Sequence, residues 1–167
     1  MQHLSFKFVR LLLLIILTGS AWFVAKPYDA KVGDVYYNLN SDGTASVARN
    51  YGAYSKLTYI YVPTSITYGN ETYTVTEIAS NALEDAGSLM GISLPETLNK
   101  IGRGAFIGCR NLKEVNVSGA ITTIEPYAFE KCESLTSFPL SEGLTEIPDG
   151  LFDGCSSLAL DKKFPLR

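Results

Sequence analysis

Three cysteines are the residues whose type and spacing most suggest chemistry in this sequence. Cys109, Cys132 and Cys155 recur at an interval of 23 residues. Such a set would serve as metal ligands or as a disulfide with one spare thiol. A zinc site is disfavoured because close Cys-x-x-Cys pairs are absent and the single histidine, His3, lies near the N-terminus. Because Ala86 occupies the same position one interval earlier, we predict buried packing thiols and no metal site, while a disulfide between neighbours stays geometrically possible.

Acidic side chains are plentiful, but no catalytic arrangement is visible. Serine and cysteine nucleophiles need a neighbouring base, and if the N-terminal segment with His3 is removed, no histidine remains to assemble the usual triad. Five glutamates that stand between apolar positions are expected to be solvated charges rather than a glycosidase pair, which must flank a sugar cleft. They are Glu77, Glu114, Glu130, Glu133 and Glu146. The sequence therefore predicts a protein without enzymatic activity and without a cofactor.

The N-terminus has the pattern of an export signal. Lys7 and Arg10 precede an uncharged segment, residues 11–25, which is shorter than the roughly 20 residues of a membrane-spanning helix and fits the apolar region of a signal peptide. Small residues lead to a predicted cleavage site after Ala21. The alternative is a short uncleaved anchor, which the apolar residues 22–24 would prolong. Cleavage would remove the only histidine and leave no membrane span.

Similar residues recur at an interval of 23 along four ladders, which is the strongest pattern in the sequence. The predicted core positions are Ile78, Ile101, Ile124 and Ile147; Leu83, Phe106, Phe129 and Phe152; Leu89, Leu112, Leu135 and Leu158; and Cys109, Cys132 and Cys155. Within one unit, Ala105, Cys109 and Leu112 are four and three residues apart, which predicts a short helical turn. Apolar and polar residues then alternate over 113–117, which predicts a short strand.

Units of this size cannot bury an apolar edge alone, so they must stack into a solenoid with a rise of about 4.8 Å per unit. Probable strands at 35–39 and 45–48 and a hairpin over 68–73 precede the repeats and would cover their exposed end. The fold prediction is an α+β repeat solenoid of short strands and short helical turns with an N-terminal β cap. Its predicted parts are a signal peptide at 1–21, a linker at 22–30, the β cap with a partial first repeat at 31–75, repeats at 76–160 and a tail at 161–167.

Two units carry the pattern of a known family. Residues 101–112, IGRGAFIGCRNL, and 124–135, IEPYAFEKCESL, resemble the BspA-like leucine-rich repeat family, and the similarity extends over about 57–160. This resemblance implies a right-handed leucine-rich-repeat solenoid in a Bacteroidetes-type protein that is secreted or exposed on the cell surface. Some members of the family are adhesins for host matrix proteins or other bacteria. In the last unit, Asp161 and Lys163 replace core residues, which indicates either charges that blunt an open end or a truncated gene.

The outward positions of the predicted strands are the candidate binding residues. They are Tyr59, Tyr61, Ser93, Glu114, Asn116 and Ser137. Aromatic side chains exposed on a sheet are enriched at interfaces, although the β cap would cover Tyr59 and Tyr61 in an alternative arrangement. The predicted function is binding of a host matrix protein, a glycan or a bacterial surface through this strand face.

The alternative function is an assembly module whose C-terminal edge pairs with another copy or with a longer repeat protein. The net charge of -3, without a basic patch, argues against nucleic acid as a partner.

Overall fold

The computed structural model describes residues 26–140, 144 and 147–159. The described residues form ten strands and no helix. The strands are β1 Ala30–Val32, β2 Val35–Leu39, β3 Thr44–Val47, β4 Tyr59–Tyr61, β5 Ser65–Tyr68, β6 Glu71–Ile78, β7 Gly91–Leu94, β8 Lys100–Ile101, β9 Glu114–Val117 and β10 Thr123–Ile124. The predicted signal peptide and the predicted tail lie outside the described residues, as do residues 22–25 of the predicted linker and residues 141–143, 145–146 and 160 of the predicted repeats. Nothing among the described segments is a helix long and apolar enough to cross a membrane.

The strands form two sheets. A seven-stranded sheet has the order β1-β2-β3-β6-β8-β10, with β5 paired to β6, and a three-stranded sheet has the order β4-β7-β9. The β1–β2, β2–β3 and β5–β6 pairs are antiparallel. The β3–β6, β6–β8 and β8–β10 pairs are parallel, as are both pairs of the three-stranded sheet. The N-terminal hairpin strands therefore continue into the same sheet as the repeats.

The 23-residue period appears directly in the strand register. Ile78 is paired with Ile101, and Ile101 with Ile124, along the seven-stranded sheet. The rings of Phe106 and Phe129 stack with centroids 4.9 Å apart and planes within 5°, close to the usual spacing of paired strands, about 4.7–4.9 Å. Each ladder of like residues is therefore a column of stacked side chains, as expected for a repeat solenoid.

The predicted core positions differ in burial between the first three units and the last one. Eleven of them are buried: Ile78, Leu83, Leu89, Ile101, Phe106, Cys109, Leu112, Ile124, Phe129, Cys132 and Leu135. In the last unit, Ile147 is 43% exposed, whereas Phe152, Cys155 and Leu158 are partly buried and pack against the core. Among the described residues, no further unit stacks on these side chains, so they keep part of their apolar surface in water.

The predicted helical turn is replaced by two consecutive hydrogen-bonded turns. The N–H of Cys109 donates to the carbonyl of Phe106 at 3.1 Å, and a similar bond closes the preceding turn. Gly104 and Gly108 have φ values of +58° and +74°, and residues in this left-handed conformation interrupt a right-handed helix. The equivalent residues in the other units are Asn81, Asp85, Tyr127, Lys131, Gly150 and Gly154, and all have positive φ.

Hydrogen bonds between units explain why turns replace the helix. The N–H of Phe106 donates to the carbonyl of Ala128 at 2.8 Å, and the N–H of Leu83 donates to the carbonyl of Ala105 at 2.8 Å. Each bond joins one unit to the unit that follows it. Buried backbone groups need partners, and stacking provides them from the neighbouring unit rather than from the same turn.

The alternation of outward and inward side chains that the sequence predicts continues into residues 137–140, but the structure has no strand there. In the three-stranded sheet, the N–H of Ser118 donates to the carbonyl of Leu94, 24 residues earlier, at 3.1 Å. The same relation would require residue 139 to donate to the carbonyl of Val115. Residue 139 is Pro139, which has no N–H to donate. The sheet therefore ends at β9.

Candidate functional site

One side of the three-stranded sheet faces solvent, and its residues are called here the strand face. The outward positions form two rows across β4, β7 and β9: Tyr59, Gly91 and Glu114, and Tyr61, Ser93 and Asn116. Ile60, Ile92 and Val115 alternate with them and are buried. The alternation of a strand therefore separates a solvent-facing set from a core-facing set in each of the three strands.

Tyr59 lies across the sheet rather than standing away from it. A Cβ atom on Gly91 would be 2.7 Å from Cε2 of the Tyr59 ring, so the ring occupies space that any side chain at residue 91 would need. The Tyr59 hydroxyl is 2.6 Å from Oγ of Ser93 and accepts a hydrogen bond from Nδ2 of Asn116 at 3.3 Å. Glycine and two polar partners thus hold one aromatic ring over all three strands.

Tyr61 provides the open aromatic surface beside this ring. It is 71% exposed, compared with 46% for Tyr59. No described residue makes a hydrogen bond or ring contact with its side chain. The set of tyrosine, serine, glycine and asparagine resembles the composition of antibody-combining sites, where tyrosines supply rigid contact area and the small polar residues supply hydrogen bonds.

The other candidate residues are polar or charged and differ in exposure and position. Glu114 and Asn116 are exposed in β9, and Ser93 is half-buried in β7. Ser137 is exposed but lies beyond the last strand of the sheet. The structure thus brings five of the six candidate residues onto one sheet face and leaves Ser137 outside it.

The N-terminal strands do not cover the strand face, so the alternative arrangement is not the observed one. They extend the seven-stranded sheet and approach the three-stranded sheet only at β4. Between β4 and the β1–β2 turn lies a cleft of about 260 Å³. It is lined by Val32, Gly33, Asp34, Val35, Tyr37, Leu57, Tyr59, Ile60, Tyr61 and Pro63.

The three cysteines are free thiols in the structure. Cys109 donates to the carbonyl of Leu83 at 3.0 Å and Cys132 to the carbonyl of Phe106 at 3.2 Å, and Cys155 makes the equivalent contact. Burial raises the pKa of Cys109 to about 12. The column therefore consists of free thiols that contact carbonyls of the preceding unit, and it forms no disulfide.

Two carboxylates at the seven-stranded sheet, Glu77 and Glu125, share one cation, Lys100. Lys100 Nζ is 3.2 Å from Glu77 and 2.9 Å from Glu125. The hydrogen bond from Lys100 lowers the pKa of Glu125, and the same bond raises the pKa of Lys100. Within residues 26–140, 144 and 147–159, no group of three or more histidine, cysteine, aspartate or glutamate side chains could hold a metal ion.

Sequence reasoning did not identify Gly91 as a functional position. A glycine inside an alternating strand pattern is a known sign of a close approach by another group, and at Gly91 that group is the ring of Tyr59. The sequence therefore contained the sign of a close approach at Gly91, but only the structure shows that the Tyr59 ring is the group that approaches.

Known proteins with similar structure are bacterial leucine-rich repeat proteins. One from Bacteroides capillosus ATCC 29799 is 29% identical, with 78% of this chain and 94% of that chain covered and a TM-score of 0.69. A leucine rich cell surface protein from Faecalibacterium prausnitzii A2-165 is 27% identical, with 80% and 42% covered and a TM-score of 0.61. A leucine-rich repeat protein from T. pallidum is 26% identical, with 78% and 69% covered and a TM-score of 0.64.

The sequence pattern of the BspA type leucine rich repeat region matches residues 53–161 as six copies. No match is found among curated proteins. The six copies include the units that follow Ile78 and the earlier copy around β4. Together with the stacked columns of isoleucine and phenylalanine, this match confirms the family resemblance. The chain belongs to the BspA-type leucine-rich repeat family.

Proposed function

We propose that this protein is secreted or held on a bacterial cell surface and binds another macromolecule through the strand face. The candidate partners are a host matrix protein, a glycan or the surface of another bacterium. The observation that carries the proposal is a pair of exposed tyrosines, Tyr59 and Tyr61, beside hydrogen-bonding side chains on one sheet face. Leucine-rich repeat domains generally bind proteins, and one structural relative is described as a cell surface protein.

Rigidity supports the proposal. Tyr59 is held by Gly91, Ser93 and Asn116, so binding would immobilise few additional rotamers at this ring. Tyr61 is mostly exposed, and burial of an aromatic ring at the centre of an interface is a common source of binding energy. A single short array would bind weakly, and many copies on one surface would strengthen attachment through avidity.

The test compares strand-face variants with a matched surface variant. Tyr61→Ala and Asn116→Ala should each weaken binding to the recognised matrix protein, glycan or bacterium by about tenfold or more. Tyr51→Ala is the control because Tyr51 is 78% exposed and lies outside the strand face. Binding would be measured by surface plasmon resonance and by adhesion of beads coated with many copies.

Two results would contradict the proposal. One is that neither the purified protein nor the multivalent beads bind any of the three partner classes. The other is that Tyr51→Ala weakens binding as much as Tyr61→Ala, which would place the contact surface elsewhere.

A second candidate function is assembly through the last unit. The observation in its favour is that Ile147 is 43% exposed and that Phe152 and Leu158 are only partly buried, although the equivalent residues of earlier units are buried. Stacking of another copy or of a longer repeat protein would bury these side chains. Light scattering should then show concentration-dependent association that Ile147→Lys weakens, whereas a monomer at all concentrations would refute an assembly of identical copies.

A further inference from the structure

Strand β4 has one paired edge and one open edge. The N–H of Val62 donates to a carbonyl of β7 at 3.0 Å, and the carbonyl of Thr58 accepts an N–H of β7 at 3.3 Å. Successive residues of a strand direct their backbone groups to opposite sides, so the N–H and C=O groups of Tyr59 and Tyr61 point away from β7. No described residue forms a hydrogen bond with these four groups.

This open edge has only part of the usual protection against strand addition. Natural edge strands are very short, carry lysine or proline, contain a bulge, or are covered by another segment. Strand β4 is short, with the three residues Tyr-Ile-Tyr, and Pro63 lies just beyond it. The strand itself contains no lysine, proline or bulge, and its pairing with β7 is regular. The β1–β2 turn lies opposite the edge without pairing to it, and the cleft of about 260 Å³ separates them. The unpaired edge of β4 therefore faces the cleft, and the β1–β2 turn forms the opposite wall.

The lining of the cleft supplies three kinds of contact for a ligand. Its apolar part is formed by Val32, Val35, Leu57, Ile60 and Pro63. Tyr37 also lines the cleft and is 1% exposed, and its hydroxyl has no hydrogen-bond partner among the described residues. The Tyr37 hydroxyl is protonated at neutral pH and can donate a hydrogen bond, and burial raises its pKa further, to about 12. Asp34 is the one charged residue in the lining.

An extended peptide matches these contacts. Side chains of an added strand alternate between two directions, so every second one would enter the apolar cleft beside Ile60 and the others would lie beside Tyr59 and Tyr61. The peptide backbone would supply hydrogen bonds to the open edge. The charge of Asp34, in a chain with a net charge of -3, favours a partner with lysine or arginine.

We infer that the cleft between β4 and the β1–β2 turn binds an extended, basic peptide segment of another protein, which adds a strand to the three-stranded sheet at β4. This site uses the backbone edge of β4, whereas the proposed function uses the side chains of the strand face. The two can therefore fail separately.

The experiment blocks the edge while keeping the sheet. Tyr61→Pro removes the outward N–H of residue 61 and leaves the bonds between β4 and β7, which use other residues; proline is tolerated at such edge positions. Tyr61→Thr is the matched control because it removes the same ring and keeps the N–H. The probes are random peptides of about eight residues, slightly longer than an average strand, displayed on phage and selected on the full chain.

The selected peptides should alternate apolar residues with lysine or arginine. Tyr61→Pro should weaken their binding at least about tenfold relative to Tyr61→Thr. Asp34→Asn should weaken basic peptides more than neutral ones. The peptide amides are also N-methylated one at a time and tested on the unmodified protein. Methylation should abolish binding at every second peptide position and have little effect at the others, because only alternate amides face β4. This last measurement keeps the inference testable if the proline variant does not fold.

Three outcomes would overturn the inference. The first is that selection enriches no peptide above the Tyr61→Pro background. The second is that enriched peptides bind Tyr61→Pro and Tyr61→Thr equally, or show no alternation in the N-methyl series, which would place them on the strand face instead. The third is that light scattering reveals a dimer that Tyr61→Pro abolishes, in which case the occupant of the edge is a second copy of this chain.

Discussion

The three thiols of the cysteine column should differ sharply in reactivity, although they occupy one repeat position. Cys109 is fully buried, and its pKa is raised from 9.0 to about 12. Only the thiolate attacks a disulfide reagent. At pH 8 a thiol with a pKa of 9 is roughly 10% ionised and one with a pKa of 12 is roughly 0.01% ionised, so the reactive fraction of Cys109 falls by about a thousandfold.

The pKa values of the other two cysteines are shifted in opposite directions. The adjacent Cys155 thiol and burial raise the pKa of Cys132 above its usual range. Cys155 is only partly buried, and the neighbouring Cys132 thiol lowers the pKa of Cys155. Exposure and ionisation therefore both favour reaction at Cys155 alone.

The assay is titration with Ellman's reagent at pH 8, in buffer and in concentrated urea. The native protein should release one equivalent of chromophore rapidly, and the unfolded protein should release three, since the sequence has three cysteines. In Cys155→Ala the rapid phase should disappear, and Cys109 and Cys132 should react only as fast as the native state opens.

A rapid phase that persists in Cys155→Ala would refute this reasoning, because it would mean that a thiol inside the column is accessible. A single equivalent in urea without reductant would also refute it. That result would show a disulfide between two neighbouring units instead of free thiols.

Three further changes test the core, the pH dependence and the strand face. Phe129→Ala should lower the free energy of unfolding in urea by about 3–5 kcal/mol, because the ring is fully buried and stacked at 4.9 Å; Phe152→Ala, at the partly buried end, should cost less, and equal costs would contradict the stacked column. Stability should fall above about pH 9, because the unfolded chain loses the Cys109 proton at its usual pKa while the folded chain keeps it up to about pH 12; urea unfolding of Cys109→Ala should show a smaller alkaline loss, and an unchanged loss would refute the assignment. Gly91→Val places a Cβ 2.7 Å from the Tyr59 ring and should displace it, so nitration of Tyr59 measured by mass spectrometry should increase, whereas an unchanged rate would show that the ring does not lie over Gly91.

The register of the strand face was predictable from the sequence. The 23-residue interval placed Gly91 and Glu114 in one row, and an offset of 32 residues between the earlier copy and the next one added Tyr59. The structure pairs those residues. This succeeded because side-chain alternation and stacking follow directly from local pattern and period. The division of the chain into a cap, repeats and a tail stays a prediction, as does the right-handed winding.

The conformation of the turns was not predictable from the spacing of apolar residues. An apolar spacing of four and three suggested a helical turn around Ala105 and Cys109, but Gly104 and Gly108 have positive φ. These two glycines, four residues apart, were a local sign of turns. Tyr127 and Lys131 carried no such sign, and their left-handed conformations follow from stacking on a unit that already has this shape. Pro139 was also readable as the end of the sheet, because a proline cannot donate to the next strand.

The sequence by itself determined the period, the columns of buried side chains and the residues that alternate with them, since each depends on spacing along the chain. Only the tertiary structure decided that β3 pairs in parallel with β6, so that the N-terminal strands extend the seven-stranded sheet and leave Tyr59 and Tyr61 exposed. That pairing joins β3, which lies outside the 23-residue period, to β6, whose last residue Ile78 begins the isoleucine ladder, and no local pattern specifies it. The exposed strand face and the open edge of β4 are both consequences of where these non-repeating strands found their partners.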